Sequence, residues 1–274
     1  MKIGVIGANG FIGRSLCRKY LEEDHEVFAF YNQNKASIPS GCQLFSIQNI
    51  PDVRLDNLII SIGGHGLKHQ DYLYQYSFLE NILHKINFNK LIFISSVDVY
   101  GKNKDKISPT SAFMQPSMYG QSKLAQEFLV KSFENHLIIR PTYIYGPGMN
   151  QNSLIPIWSK FAKEKNEIII FGDGKRKQDY LFISDLTELC VLATKSNKHS
   201  DIIIAATGTS VSNHELAMAI AQNIPNTVIN FRGEDKAHSL KYDISDSKNK
   251  YGWNPKIFIK EGILNYLKNE STNI

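Results

Sequence analysis

The chain has 274 residues, 42% of them hydrophobic and 21% charged, with a formal net charge of +5. That length suits one large α/β domain or a core with a smaller lobe, and the composition excludes a disordered chain. Lys and Arg are scattered rather than gathered on one element, which argues against a nucleic-acid partner and suits a small anionic substrate.

Residues 2–6 are a short apolar run that ends in Gly7-Ala8-Asn9-Gly10-Phe11-Ile12-Gly13. Helical spacing follows over 11–23, through Ile12, Leu16, Tyr20 and Leu21, and residues 26–31 read as a second strand. Residues 58–62 are a further apolar run before Gly63-Gly64. Helical character over 71–86 and a strand at 90–95 come next, then polar residues over 102–111 that suit a loop above a site. Residues 119–133 predict a helix with Leu124 and Phe128 on one face, and 137–140 a strand stopped by Pro141. This alternation predicts a doubly wound, parallel α/β sheet of Rossmann type over residues 1–142. From Tyr143 the pattern changes. Helices at 155–165 and 213–223 and strands at 167–171, 202–205 and 227–231 are expected to form a smaller C-terminal lobe, 143–274, interleaved with the core.

Cys17, Cys42 and Cys190 are widely spaced with no CxxC pair, so no disulfide framework or zinc site is expected, and a reducing cytoplasm fits. Glycines at 4, 7, 10 and 13 interrupt the N-terminus, which lacks the features of a signal peptide. No apolar run approaches the ~18 residues that span a bilayer, so no membrane partner is expected. His65 and His69 sit four apart, but Gly66 opposes a helix there and no third ligand is evident, so no metal is expected. His65 reads as a polar loop residue.

The glycine turn carries the first chemistry. Gly7 permits the tight turn, Gly10 lets the backbone reach a pyrophosphate, and Gly13 lets helix and strand pack closely. The helix N-terminus then offers free N–H groups to the phosphates of a dinucleotide. An acidic residue that would bind the ribose hydroxyls of NAD is missing from 31–35. Asn32 and Lys35 can instead receive a 2′-phosphate, which favours NADP over NAD.

Tyr119 and Lys123 share a helix face, and a nearby ammonium lowers the pKa of a phenol so that it can exchange a proton with a reacting hydroxyl or carbonyl. Ser95 and Ser96 end a strand upstream and can hydrogen-bond the reacting oxygen.

In this combination the chain resembles the extended short-chain dehydrogenase/reductases of the NAD(P)-dependent epimerase/dehydratase type. The resembling segments are the glycine turn, residues 95–101, 119–123, Arg140-Pro141-Thr142-Tyr143-Ile144-Tyr145-Gly146-Pro147, residues 172–186 and Tyr251-Gly252-Trp253-Asn254-Pro255. The resemblance implies nucleotide sugars as substrates. It gives the hydroxyl role to Ser96, the acid/base role to Tyr119, and pKa tuning and nicotinamide-ribose binding to Lys123. Cofactor contacts are then expected at Gly7, Asn9, Gly10, Phe11, Ile12, Gly13, Asn32, Lys35, Gly63, Gly64, Tyr119, Lys123 and Pro141, and substrate contacts at Ser96, Tyr143, Arg176 and Gln178. Family members often pair as homodimers through the helix that bears the Tyr and Lys.

Three departures matter. The 4,6-dehydratases of the family carry Asp-Glu where this chain has Val97-Asp98, which argues against water elimination and leaves Asp98 to act as an acid or, the favoured reading, to cap the turn. Tyr143 stands in place of an Asn. Gln178 stands in place of an Arg that Arg176 can replace, and the basic run Lys175-Arg176-Lys177 suits a diphosphate or, equally, a solvated hairpin tip. The chain therefore reads as an NAD(P)-dependent oxidoreductase on a nucleotide-activated sugar, foremost a 4-keto sugar nucleotide reductase. A 4-epimerase with retained cofactor is the alternative, and a non-catalytic dinucleotide sensor is the reading from another class.

Overall fold

The computed structural model describes residues 1–32, 34–64, 68–103 and 106–271. His65 and Gly66, and Lys104 and Asp105 of the polar 102–111 stretch, lie outside the described residues.

The first half runs β1 (Lys2–Ile6), α1 (Phe11–Glu22), β2 (Glu26–Tyr31), β3 (Gln43–Ser46), β4 (Arg54–Ile60), α2 (His69–Leu83) and β5 (Asn87–Ile94). A 3-10 turn (Val97–Tyr100), β6 (Lys106–Ile107), α3 (Met118–Val130) and β7 (His136–Pro141) follow. The second half holds β8 (Tyr143–Tyr145), α4 (Leu154–Lys165), β9 (Glu167–Phe171), β10 (Lys177–Gln178), β11 (Tyr180–Phe182) and α5 (Ile183–Lys195). It continues with β12 (Asp201–Ala205), β13 (Val211–Ser212), α6 (Asn213–Ala221), β14 (Val228–Arg232), β15 (Lys241–Tyr242), α7 (Ser245–Tyr251) and α8 (Ile259–Ser271).

Seven strands form one sheet in the order β12-β7-β5-β4-β1-β2-β3. Every pairing within it is parallel. The strands are apolar on both faces because helices cover both. Alternate residues serve opposite cores: Ile3, Val5, Val27 and Ala29 join the core that includes Leu16 of α1 and Leu186 of α5. Ile6, Phe28 and Phe30 join the other, with Leu79 of α2 and Val130 of α3. Lys90 of β5 donates to Ala193 O and Ser196 O, each at 2.9 Å. Its ammonium thereby satisfies carbonyls at the C-terminus of α5, where a cation is favoured.

The strand at 202–205, assigned from the sequence to the second lobe, is the outer strand of the main sheet, paired to β7 from Asp201↔Leu137 to Ala205↔Pro141. Its Ile203 and Ile204 are apolar on both faces, as a strand covered on both sides requires. In α3 the face that carries Leu124 and Phe128 is not the buried one. Phe128 is 77% exposed, and the buried residues are Gly120, Lys123, Gln126, Glu127 and Val130. The buried face carries charge because Lys123 meets the ends of β4 and β5 and Glu127 pairs with Arg140 of β7.

Outside the sheet, short pairs tie the second half together: β8 with β11, β9 with β14, and β10 with β13. The polar stretch before α3 is anchored, since β6 pairs with β15 and Ile107 is buried beside Tyr242.

The chain leaves β1 outward to β2 and β3, then returns to place β4 on the other side of β1. The crevice beyond the carboxyl ends of β1 and β4 is therefore the switch point where ligands of such sheets bind.

Candidate active site

The glycine turn lies at this switch point. Gly7 has φ +83°, and a Cβ on Gly13 would stand 2.0 Å from Gly7 O, so β1 and α1 approach as only glycine allows. Helix α1 starts after Gly10 with no side-chain cap and no acidic residue in its first turn. Its first amides and positive dipole end are thus left to an anion. Beside the turn is a hollow of ≈ 210 Å³ lined by Gly7, Asn9 and Asn32, with Phe30, Ile47 and Phe78 as apolar walls. Gln75 Oε1 faces this region buried and without a protein partner. An anion cradle beside a mostly apolar slot with one orphaned acceptor fits a dinucleotide. Lys35 is exposed and is not among the residues that line this hollow.

Ser96, Tyr119 and Lys123 meet where β5 ends. Ser96 Oγ accepts from Asp98 N at 3.1 Å and caps the 3-10 turn. The same hydroxyl hydrogen-bonds the Tyr119 phenol. Asp98 therefore does not cap the turn; Ser96 does. The Asp98 carboxylate instead accepts from the Ser117 hydroxyl, which in turn accepts from Gly120 N at 3.1 Å as the N-cap of α3. A Cβ on Gly120 would stand 2.4 Å from Asp98 O, so turn and helix are pressed together, and this contact sets where Tyr119 emerges.

Lys123 is 2% exposed, and its ammonium donates to Ile62 O at 2.7 Å and Ile94 O at 2.9 Å, the carbonyls just past β4 and at the end of β5. Nζ lies 5.9 Å from the Tyr119 ring centroid and close behind Gly63, where a Cβ would come within 3.0 Å of it. Burial brings the Lys123 pKa down to about 7, against an upward pull from Glu127. Burial pushes the Tyr119 phenol above its ordinary range, with the Ser96 hydrogen bond opposing. The ammonium does not lower the phenol as the spacing suggested; burial favours its protonated form. Tyr72 stacks obliquely over Tyr119, with ring centroids 6.4 Å apart, and donates to Gly64 O at 3.2 Å.

Above this group opens a crevice of ≈ 220 Å³, lined by Ser96, Asp98, Thr142, Tyr143, Gln178 and Tyr242 among others. Three of the four expected substrate residues, Ser96, Tyr143 and Gln178, thus share one hollow. Arg176 lines a neighbouring groove of ≈ 440 Å³ with Leu154, Phe171 and Asp235, its Nε 2.7 Å from Asp235 Oδ2. Tyr143 of the crevice accepts through its hydroxyl from the backbone N of Leu154, a residue of the groove, at 3.2 Å. Pro141 is buried at the end of β7, paired with Ala205.

Sequence reasoning passed over three groups. Gln75, Ile47 and Phe78 come from α2 and from the segment after β3 and carry no local signal. Asp179 is buried in the crevice wall, where Thr207 N and Oγ1 donate to its carboxylate at 2.8 and 2.9 Å; burial pushes its pKa up to about 6. Glu127 and Arg140 lie behind Lys123. Extending the Tyr119–Lys123 spacing by one more turn would have found Glu127.

The family model described as "NAD dependent epimerase/dehydratase family" matches residues 3–54 and 65–206. Human dTDP-D-glucose 4,6-dehydratase is 26% identical over 68% of this chain, which spans 57% of the length of that relative. Escherichia coli dTDP-4-dehydro-6-deoxyglucose reductase is 26% identical over 96% of both chains. Among solved structures, UDP-glucuronic acid 4-epimerase from Bacillus cereus, in complex with UDP-glucuronic acid and NAD, superposes with a TM-score of 0.84 over the full length of both chains at 22% identity.

Proposed function

Because the chain belongs to the NAD-dependent epimerase/dehydratase family, we propose that it reduces the 4-keto group of a nucleotide-activated sugar. Members of the family are nucleotide-sugar enzymes that use NAD, and the cofactor here is NAD or NADP. The observation that carries the reductase reading is the Tyr119 phenol hydrogen-bonded to Ser96 at a crevice whose carboxylates among the described residues are Asp98, bonded by Ser117, and Asp179, bonded by Thr207. Elimination of water needs its own acid and base, and this chain has Val97-Asp98 where the family's 4,6-dehydratases carry Asp-Glu. Alignment with the E. coli reductase along nearly the whole of both chains supports the same reading.

In this reading the α1 amides and the Gly7–Gly10–Gly13 backbone hold the pyrophosphate. Asn9, Phe11, Ile12, Asn32, Gly63 and Gly64 border the dinucleotide, which supplies the hydride when bound. Ser96 hydrogen-bonds the carbonyl oxygen, Tyr119 protonates it as charge develops, and the Lys123 ammonium stabilises the phenolate left behind. Arg176 and the apolar groove beside it receive the nucleotide diphosphate, Tyr143 and Gln178 face the sugar, and Pro141 supports the nicotinamide end. The substrate lobe starts at Tyr143 and leaves β12 to the sheet. Asn32 and Lys35, with no carboxylate nearby in the sequence, favour NADPH. The free thiols suit the cytoplasm, and among the described residues no helix is long and apolar enough to cross a membrane. A homodimer through α2 and α3 completes the reading.

The test is consumption of NADPH or NADH with a panel of 4-keto-6-deoxy nucleotide sugars. Turnover with at least one is expected, with the higher kcat/KM for NADPH. Tyr119→Phe should lower kcat by about 10² to 10⁴-fold while the protein remains folded. No oxidation of either cofactor with any substrate overturns the reading. The alternative, a 4-epimerase, is favoured by the NAD-bound epimerase that superposes on the chain, and predicts tightly held cofactor in the purified protein.

A further inference from the structure

The row Tyr119, Lys123 and Glu127 runs down one face of α3 at intervals of four residues, and its third member is fully buried. The Glu127 carboxylate is gripped from three sides. Arg140 of β7 binds it in a fork, Nε to Oε1 at 2.9 Å and Nη2 to Oε2 at 2.6 Å, and Ser95 Oγ donates to Oε1. Arg140 Nη1 is itself fixed by Tyr100 Oη at 2.7 Å and Pro109 O at 3.1 Å, and its guanidinium lies 4.9 Å from the centroid of the Tyr100 ring. Both ions of the pair are 1% exposed.

A buried ion pair is weak evidence for stability, because desolvation offsets its attraction. This one has a neighbour that gives it another use. Lys123 holds a buried ammonium whose two protein partners are neutral carbonyls. The titratable and charged groups around it are Tyr119 and Glu127 on its own helix, Tyr72 on α2, Asp98 and Tyr100 on the 3-10 turn, and Arg140 on β7. Among these, the field that favours the charged form of Lys123 comes from Glu127.

We propose that Glu127, clamped by Arg140 and Ser95, is a positioning residue that keeps the Lys123 ammonium charged in its dry site, and so sets the pH range over which Tyr119 can act. It never touches the reacting atoms; it acts through Lys123. The proposal rests on the reading of Ser96, Tyr119 and Lys123 as the reaction site, but its test does not depend on any substrate.

The test follows Lys123 directly, by NMR titration of the full-length protein labelled at lysine Cε, with the Lys123 signal identified by its loss in Lys123→Met. In the unaltered protein this signal should titrate near about 7, far below surface lysines. In Glu127→Gln the midpoint should fall by about one pH unit, the size expected of a charge one helical turn away in a partly shielded interior. Because removing one ion of a buried pair can unfold a protein, the double variant Glu127→Gln/Arg140→Met, which removes the pair as a unit, is titrated alongside and should shift in the same direction by a smaller amount, since the Arg140 charge leaves with that of Glu127. Activity, once a substrate is found, should fall away at a lower pH in each variant by the margin of its own titration shift. A Lys123 midpoint unchanged in a folded variant overturns the proposal, as does failure of both variants to fold, which would leave the pair a structural tie between α3 and β7. The reductase reading would survive either result, and its own failure would not move the titration.

Discussion

At the scale of single residues, the site is built from groups whose environments oppose their ordinary charge states. Burial works against the charge of Lys123 and of Asp179, with different consequences. The Asp179 carboxylate is buried in the crevice wall, and its pKa stands at about 6 rather than 3.8. A raised carboxyl pKa means the folded state prefers the protonated form. The corresponding stability is fully present below about 4 and is lost as pH rises through about 6, to an extent of about 3 kcal/mol. Asp179→Asn should be free of this loss. Its Oδ1 can still accept from Thr207 N, and its amide can donate to Thr207 Oγ1, freeing that hydroxyl for Thr209 O. Thermal melts of the two proteins should therefore diverge between about pH 4 and about pH 7 in favour of Asp179→Asn, and parallel pH dependences would refute the assignment. None of this was legible in the sequence, where Asp179 lies within the resembling segment 172–186 without a role of its own. Ser96, Tyr119 and Lys123 were legible because their chemistry depends on spacing along one helix and one strand end, which sequence records.

At the scale of elements, legibility followed contrast. Strands β1, β2 and β9 were read to the residue because turns or charged residues bound them sharply. Helix α5 went unread. Nine of its residues are buried, among them Ile183, Leu186, Leu189 and Cys190, which leaves only a narrow polar stripe at Ser184, Glu188 and Lys195. Strand β3 failed for the opposite reason, being an exposed edge of four residues. The buried face of α3 went unread because it is largely polar, and hydrophobic periodicity does not find such a face. That face also depends on a backbone contact with no side-chain signature, Gly120 against Asp98 O. Gly120→Ala must push α3 from the 3-10 turn, and Tyr119 moves with it. A displacement of about 1 Å at a reacting group can cost about 10²-fold, so kcat should fall by roughly that factor. The affinity for NADPH, held mainly by the α1 turn, should change by no more than a few-fold. An Ala variant with unaltered kcat would show that the contact does not place Tyr119.

At the scale of the whole molecule, the sheet order explains why the site lies where it does. Ser96, Gly63 and the glycine turn all follow carboxyl ends of adjacent strands, so parallel pairing alone gathers them. The same arrangement sends α2 and α3 to one face of the sheet with their outer sides bare. Met118, Gln121, Ala125 and Phe128 follow one another along the outer stripe of α3, and Leu73 and Tyr76 along that of α2. Phe128 is 77% exposed, Leu73 57% and Met118 50%, and a hollow of ≈ 320 Å³ runs between the two helices. Large apolar side chains grouped this way on a protein with a charged surface mark an interface. Two copies facing each other would pack four helices and bury Phe128 from both sides. Sedimentation velocity should therefore find a dimer at micromolar concentration, and Phe128→Arg should give a monomer. Since Phe128 contributes nothing to the core of its own chain, the variant should stay folded, with helix content unchanged by circular dichroism. A wild-type protein that sediments as a monomer would leave this apolar stripe without the partner proposed for it. A dimer that survives Phe128→Arg would move the interface elsewhere.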